Sequence, residues 1–188
     1  MKKVIIMMML LTAGLSINAQ DIQLTETGAY EKKEVVVVDS VKAIVLFERA
    51  MIALSDWTGP DGKAKAGIDY QEKETGTVIY KGRYSLGFKN TFLGDGWNRY
   101  AEFSLKVRCK EGRAQVTVTV PTVTAIYNRN GVTRTNSIKV LLDAVKQSKG
   151  AKRERGEKLM TDLIETADGL VAAMCERLKN GGANDDDF

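Results

Sequence analysis

Asp39, Asp56, Asp69, Glu74, Asp95 and Glu102 are the residues that could carry acid–base chemistry if the fold brought two of them together. They would have to act without imidazole, because the chain contains no histidine. That excludes Ser-His-Asp and Cys-His nucleophilic catalysis and the His-based zinc sites. Cys109 and Cys175 are too few for a four-thiolate metal centre. Neither GxGxxG after the first strand nor GxxxxGK[ST] occurs, so no nucleotide cradle is present and no cofactor is implied. Asp39 reads as a helix cap and the other carboxylates as solvated groups. No catalytic or metal-ligating residue is therefore assigned.

Binding chemistry has a better candidate. Tyr100, Glu102, Ser104, Lys106 and Arg108 alternate with Ala101, Phe103, Leu105, Val107 and Cys109, the two-residue period of a half-buried strand. After the Lys110-Glu111-Gly112 break, Gln115, Thr117 and Thr119 alternate with Val116, Val118 and Val120. The pair reads as an antiparallel hairpin with one apolar and one wet face. Tyr100, Glu102, Lys106, Arg108, Thr117 and Thr119 are the ligand-binding candidates, suited to a peptide, a glycan or another envelope protein. Nucleic acid is not expected, since that set holds one aromatic and no continuous basic track.

Two further groups could do chemistry at element ends. Trp57, Trp97 and Tyr84 could form a sugar or peptide platform, but such residues are more often edge-of-core aromatics with one polar handle. Lys146, Lys149, Lys152, Arg153, Arg155 and Lys158 form a basic run that could meet an anionic lipid head group. Glu154 and Glu157 interrupt it, which favours a solvated helix start.

The elements that must position these residues follow from periodicity. Val35-Val36-Val37-Val38 reads as a strand, Asp39-Ser40 as a cap, and Ile44, Phe47, Met51 and Leu54 as the apolar stripe of a helix ending near Trp57. Ala66 to Gln71 and Thr77 to Leu86 form a second hairpin, in which Gly82 suggests a bulge or a close backbone approach. Phe88 to Gly96 reads as a loop, and Pro121 is expected to loosen the end of its strand. Asn128 to Gly131 is a turn, with a brief strand after it and a short helix from Ser137. A long helix follows from about Arg153 to Leu178, with Leu159, Leu163, Leu170 and Met174 on one side. The order is β-α-β-β-β-β-α: an α+β fold with two helices on one face of an antiparallel sheet, a cystatin-like curl of the sheet being the competitor.

Met1-Lys2-Lys3, the apolar run Val4 to Leu11 and the small residues before Gln20 read as a signal peptide over 1–19, cleaved after Ala19. The run is too short to span a bilayer, so no stable membrane insertion is expected once it is removed. The protein is then periplasmic or extracellular. Residues 20–33 read as a flexible lead-in, 34–180 as a single domain and 181–188 as a disordered acidic tail. The 28 basic and 24 acidic residues include Lys2 and Lys3, so the exported chain is close to charge balance. Cys109 and Cys175 could be bridged in an oxidising compartment or remain two buried thiols.

The export signal, the Val35 to Val38 strand, the helix from Ser40 through Phe47 to Trp57, the segment Glu74-Thr75-Gly76-Thr77-Val78-Ile79-Tyr80-Lys81-Gly82 and the pair around Phe103 and Val118 together resemble a family. It is the secreted bacterial domain-of-unknown-function family DUF4468, with a fold like that of TATA-binding protein (TBP). The resemblance covers roughly Glu34 to Tyr127. It implies a strand-helix-sheet-helix fold and brings no assigned reaction. The expectation is a non-enzymatic interaction domain of the cell envelope. A carboxylate-based hydrolase of envelope or extracellular polymers and a structural part of a larger assembly are the alternatives.

Overall fold

The computed structural model describes residues 22–55, 67–90 and 96–181, with the side chains of 88–90 excepted. The expected signal peptide over 1–19, Asp56, Trp57, Asp95 and the expected tail beyond Gly181 lie outside the described residues. The elements are β1 (Tyr30–Val37), α1 (Ala43–Ser55), β2 (Gly67–Glu72), β3 (Thr77–Asn90), β4 (Gly96–Lys110), β5 (Arg113–Tyr127), β6 (Thr133–Ser137), α2 (Ile138–Gln147) and α3 (Gly150–Asn180). All strand pairings are antiparallel, in the order β1-β5-β4-β3-β2, with β6 also on β5.

The alternation in the sequence decides which way the sheet faces. Val78, Tyr80 and Tyr84 of β3, Ala101, Phe103, Leu105, Val107 and Cys109 of β4, and Ala114, Val116, Val118 and Val120 of β5 are buried in one core. Leu46, Phe47, Ala50 and Leu54 of α1 and Leu163, Leu170, Met174 and Leu178 of α3 join the same cluster. Both helices therefore cover one face, α1 over β3 and β4 and α3 over β1 and β5. Each such leucine or phenylalanine contributes about 1.5–3 kcal/mol by leaving water. A third helix, α2, forms a hairpin with α3; Ser137 caps it by accepting a bond from the Val140 N–H.

Polar contacts pin the layers. Tyr30 Oη donates to Asp168 at 2.8 Å, tying β1 to α3. Burial and that carboxylate push the Tyr30 phenol well above its ordinary range. Arg49 of α1 donates to the Leu178 carbonyl at 3.1 Å, and Arg177 of α3 donates to the Ala53 carbonyl at 3.0 Å. The last carbonyls of a helix have no intrahelical partner, so each helix supplies the arginine that closes the other. Arg177, at the end of α3, thus serves the C-terminus of α1.

The structure departs from the periodicity in four places. β1 begins at Tyr30, ahead of the valine block, because Tyr30 to Val37 pair along Val120 to Arg113. Asp39 does not cap α1: Asp39-Ser40 form a turn with Ser40 at φ 64°, and the helix starts only at Ala43. The bulge in β3 falls between Ser85 and Phe88 at Gly87, φ 83°, while Gly82 stays in register opposite Phe103. Gly82 shares its face with Tyr80 and Tyr84, whose rings lie 6.2 and 5.7 Å from that of Phe103. The expected Phe88 to Gly96 loop is partly strand, since β3 runs to Asn90 and β4 starts at Gly96.

Pro121 marks a fifth difference. β5 does not loosen there but continues to Tyr127, with a register shift in which Val120 and Pro121 face Phe103 alone. On the other edge of β5, β1 starts with Tyr30 opposite Val120 and β6 finishes with Ser137 opposite Thr122. Proline lacks the N–H a ladder needs, and it occupies the gap between those two strands where none is required.

Candidate functional site

The uncovered face of the sheet carries the residues singled out by alternation. Glu102, Lys106 and Arg108 are exposed, and Tyr100, Ser104, Gln115, Thr117 and Thr119 are half-buried. Register sets them in rows: Lys106 lies between Ile79 and Thr117, Ser104 between Lys81 and Thr119, and Arg108 between Thr77 and Gln115. The face is polar and continuous, but its parts differ.

At its centre is a trough of about 460 Å³, floored by backbone at Gly82 and Phe103 and walled by Lys81, Arg83, Glu102, Thr119 and Pro121. The bulge at Val120 and Pro121, where β5 slips register against β4, shapes it. Gly82 has the helix-side parity of Tyr80 and Tyr84 and gives the floor backbone alone. Glu102 is held in place, since Thr124 Oγ1 donates to its carboxylate at 3.1 Å and Thr135 Oγ1 lies 3.0 Å from Thr124 Oγ1. Arg83 lies 4.7 Å over the Tyr100 ring, so that ring face is already occupied by a cation.

At the β4–β5 hairpin end is a second, smaller depression of about 280 Å³ around Val35, Arg108, Lys110 and Arg113. Val35 and Val37 are 52% and 60% exposed there. Among the described residues no carboxylate lines it, which makes it a basic corner with an apolar edge. The six candidates therefore separate. Glu102 and Thr119 line the trough, Arg108 lines the corner, Tyr100 lies under Arg83 at the rim, and Lys106 and Thr117 bridge the two depressions. Lys81, Arg83, Pro121, Lys110, Arg113 and Val35 complete the surface and were not singled out. The odd-numbered polar positions of β3 were the available signal for Lys81 and Arg83.

The remaining chemistry does not assemble. Among the described residues no three His, Cys, Asp or Glu side chains lie close enough to hold a metal ion. Asp69 pairs with Lys81 at 2.9 Å. Tyr84 is a core residue, 1% exposed, and its hydroxyl donates to the Leu163 carbonyl at 3.0 Å. Trp97 packs in a tilted pair with Tyr127 at 5.1 Å and Arg134 lies 5.1 Å over its ring, so Tyr84 and Trp97 do not form a platform. Cys109 and Cys175 are buried thiols without a disulfide, and burial pushes both up to about 11. No described helix is long and apolar enough to cross a membrane.

Comparison with known proteins places this architecture. Residues 33–124 match the family model described as a domain of unknown function (DUF4468) with TBP-like fold. A TBP-like protein from Parabacteroides distasonis superposes with a TM-score of 0.61 at 12% identity, over 85% of this chain and 97% of that one. A DUF4468 family protein from Bacteroides ovatus gives a TM-score of 0.61 at 12% identity, over 85% of this chain and 91% of that one. No curated protein matches the chain. The segment 33–124 thus matches the DUF4468 family model, and the chain has the one-sided α+β sheet of a TBP-like fold.

Proposed function

We propose that the protein is an exported binding module that holds an acidic peptide or protein segment of the cell envelope across its open sheet face. The observation that carries this reading is the trough over Gly82 and Phe103, continuous through Lys106 with the basic corner at Arg108, Lys110 and Arg113. An extended segment laid along β4 would place backbone in the trough and carboxylates at the corner, where no carboxylate among the described residues lines the site beside the arginine and lysine side chains. The covered ring of Tyr100 argues against a base-stacking role. A hydrolase would need two converging carboxyl groups, and Glu102 is the one acid among the described residues that line the trough. Export rests on the basic, apolar and small-residue pattern of residues 1–19.

Affinity capture from envelope extract with the chain beginning at Gln20 tests the reading. The parent is compared with Lys106→Glu/Arg108→Glu and with Ser104→Arg, which fills the trough wall. A partner retained by the parent and lost by both variants, with unchanged melting temperatures, is the expected result. Identical capture by all three would remove the sheet face as the site. N-terminal sequencing of the protein from its native cells, expected to begin at Gln20, tests the export signal.

A further inference from the structure

The helical layer holds a cleft that the sheet-face reading does not use. Between α2 and α3, at the end of the sheet where β4 begins, is a cavity of about 610 Å³, within the range of small-ligand sites. Leu141 and Val145 of α2 and Leu159 and Met160 of α3 line it with hydrocarbon, and Arg99 of β4 enters from the sheet. Arg99 occupies an inward position of β4, two residues before the core alanine Ala101, where the other inward residues of that strand are apolar.

The guanidinium is incompletely satisfied. Its Nη2 donates to the Leu86 carbonyl at 3.3 Å, but Nε is buried and meets no acceptor among the described residues. A buried charged donor left unpaired is destabilising, so such groups call for compensation. Desolvation depresses the Arg99 pKa, against a smaller opposing influence of Asp162. Asp162 is the one carboxylate among the described residues lining the cleft, and Lys158 pairs with it at 3.1 Å. Lys152 and Arg155 stand exposed at the rim; Arg155 Nε donates to the Ala151 carbonyl, and neither side chain is in an ion pair among the described residues. The cleft thus combines an apolar wall, one inward guanidinium and an excess of rim cations.

We propose that this cleft binds a small amphiphilic carboxylate, an alkanoate whose head group pairs with Arg99 and whose chain lies along Leu141, Val145 and Leu159. A planar guanidinium fork matches a carboxylate, whose charge meets the cleft-lining side of a guanidinium that burial has left short of acceptors. A neutral amphiphile leaves that charge uncompensated, and a small hydrophilic anion leaves the apolar wall wet. No aromatic residue lines the cleft among those described, so a nucleobase has nothing to stack on. The basic run of the sequence acquires a specific role here: Lys152 and Arg155 attract the anion, while Arg153 is tied to Glu157 at 2.8 Å.

Isothermal titration of the folded chain with decanoate below its micelle-forming concentration, decan-1-ol, acetate and anionic phospholipid vesicles tests this. Decanoate is expected to bind, with decanol and acetate each weaker by about tenfold or more, the worth of a charge-assisted hydrogen bond or of the buried chain. Arg99→Gln should weaken decanoate by about tenfold or more. Because Arg99 also holds Leu86, Lys152→Glu/Arg155→Glu provides a second arm on exposed positions. It should weaken decanoate several-fold at low salt, with the difference closing at high salt. Equal binding of decanol and decanoate, decanoate binding unchanged in both variants, no decanoate binding up to about 1 mM, or binding to vesicles without binding to decanoate would each overturn the proposal.

Discussion

Gly156→Ala tests how α2 and α3 are packed. A Cβ at residue 156 would lie 2.5 Å from Val145 Cγ2 and 3.4 Å from both Val145 Cβ and Cγ1. Val145 is buried in α2, and a β-branched residue in a helix has essentially one rotamer, so it cannot swing aside. The methyl must instead push the helices apart, an overpacking cost of about 1–3 kcal/mol. Against this, alanine gains about 1 kcal/mol over glycine in a helix interior. The net expectation is a loss of roughly 1 kcal/mol, where propensity alone demands a gain of the same size. Val145→Ala alone should cost about 1–3 kcal/mol as a buried truncation. In the double variant the new methyl occupies the space vacated, so the two changes should couple favourably by about 1–2 kcal/mol. Urea unfolding of the four proteins, read from midpoints at constant m-value, closes the cycle. If Gly156→Ala stabilises by the full propensity increment and shows no coupling to Val145→Ala, the close approach is not there.

Gly76 should be the least replaceable glycine of the β2–β3 turn. Its φ is +62° and an added Cβ would lie 2.6 Å from the Cys109 carbonyl oxygen, so Gly76→Ala should lose more than about 2 kcal/mol in urea unfolding; a loss below about 0.5 kcal/mol refutes this. Tyr84→Phe deletes the bond to the Leu163 carbonyl and should cost about 0.5–1.5 kcal/mol with an unchanged m-value. The buried thiols should resist iodoacetamide at about pH 8 in the native protein, and both should react once it is unfolded without reductant; no labelling after unfolding would reveal a bridge. Their folded pKa values are raised from 9.0 to about 11, so the folded state keeps protons that the unfolded chain loses. Their contribution is therefore complete below pH 9.0 and declines between 9.0 and about 11. The urea midpoint should fall across that window, and less steeply in Cys109→Ala/Cys175→Ala.

Legibility in the sequence tracked how local each cause was. The period of β4 and β5 is written residue by residue, and so the inward and outward sets from Ala101 to Val120 follow from it. The long α3 was likewise legible from Leu163, Leu170 and Met174, although its first turn, rich in cations, was not. What failed were features fixed by a partner. Pro121 is accommodated because β1 and β6 leave it unpaired between them on the far edge of β5, which no window around Pro121 contains. The early start of β1 depends on Tyr30 pairing with Val120, 90 positions along the chain, and its hydroxyl reaches Asp168, 138 positions away. Asp39 had the right chemistry for a cap, but Ser40 adopts a left-handed turn that delays the helix. The candidate site was half legible for the same reason. The rows on β4 and β5 are local, whereas the trough needs Lys81 and Arg83 of a different hairpin to line up with Ser104 and Glu102.

The two proposed sites are separated by the parity of one strand. On β4, Lys106 and Arg108 project to the open face, whereas Arg99 shares the helix-side parity of Ala101 and Phe103. Even and odd residues of a strand point to opposite sides, so a charge reversal at Lys106 and Arg108 leaves the cleft lining untouched, and Arg99→Gln leaves the trough lining untouched. Perturbations at such separated sites are expected to add. A partner bound across the sheet and an alkanoate bound between α2 and α3 should accordingly be captured together, each with its own variant-sensitivity. If Lys106→Glu/Arg108→Glu altered decanoate affinity as strongly as partner capture, β4 would be transmitting a change between its faces. The bulge at Val120 and Pro121, where the register already slips beside Phe103, is the element in which such a shift would have to occur.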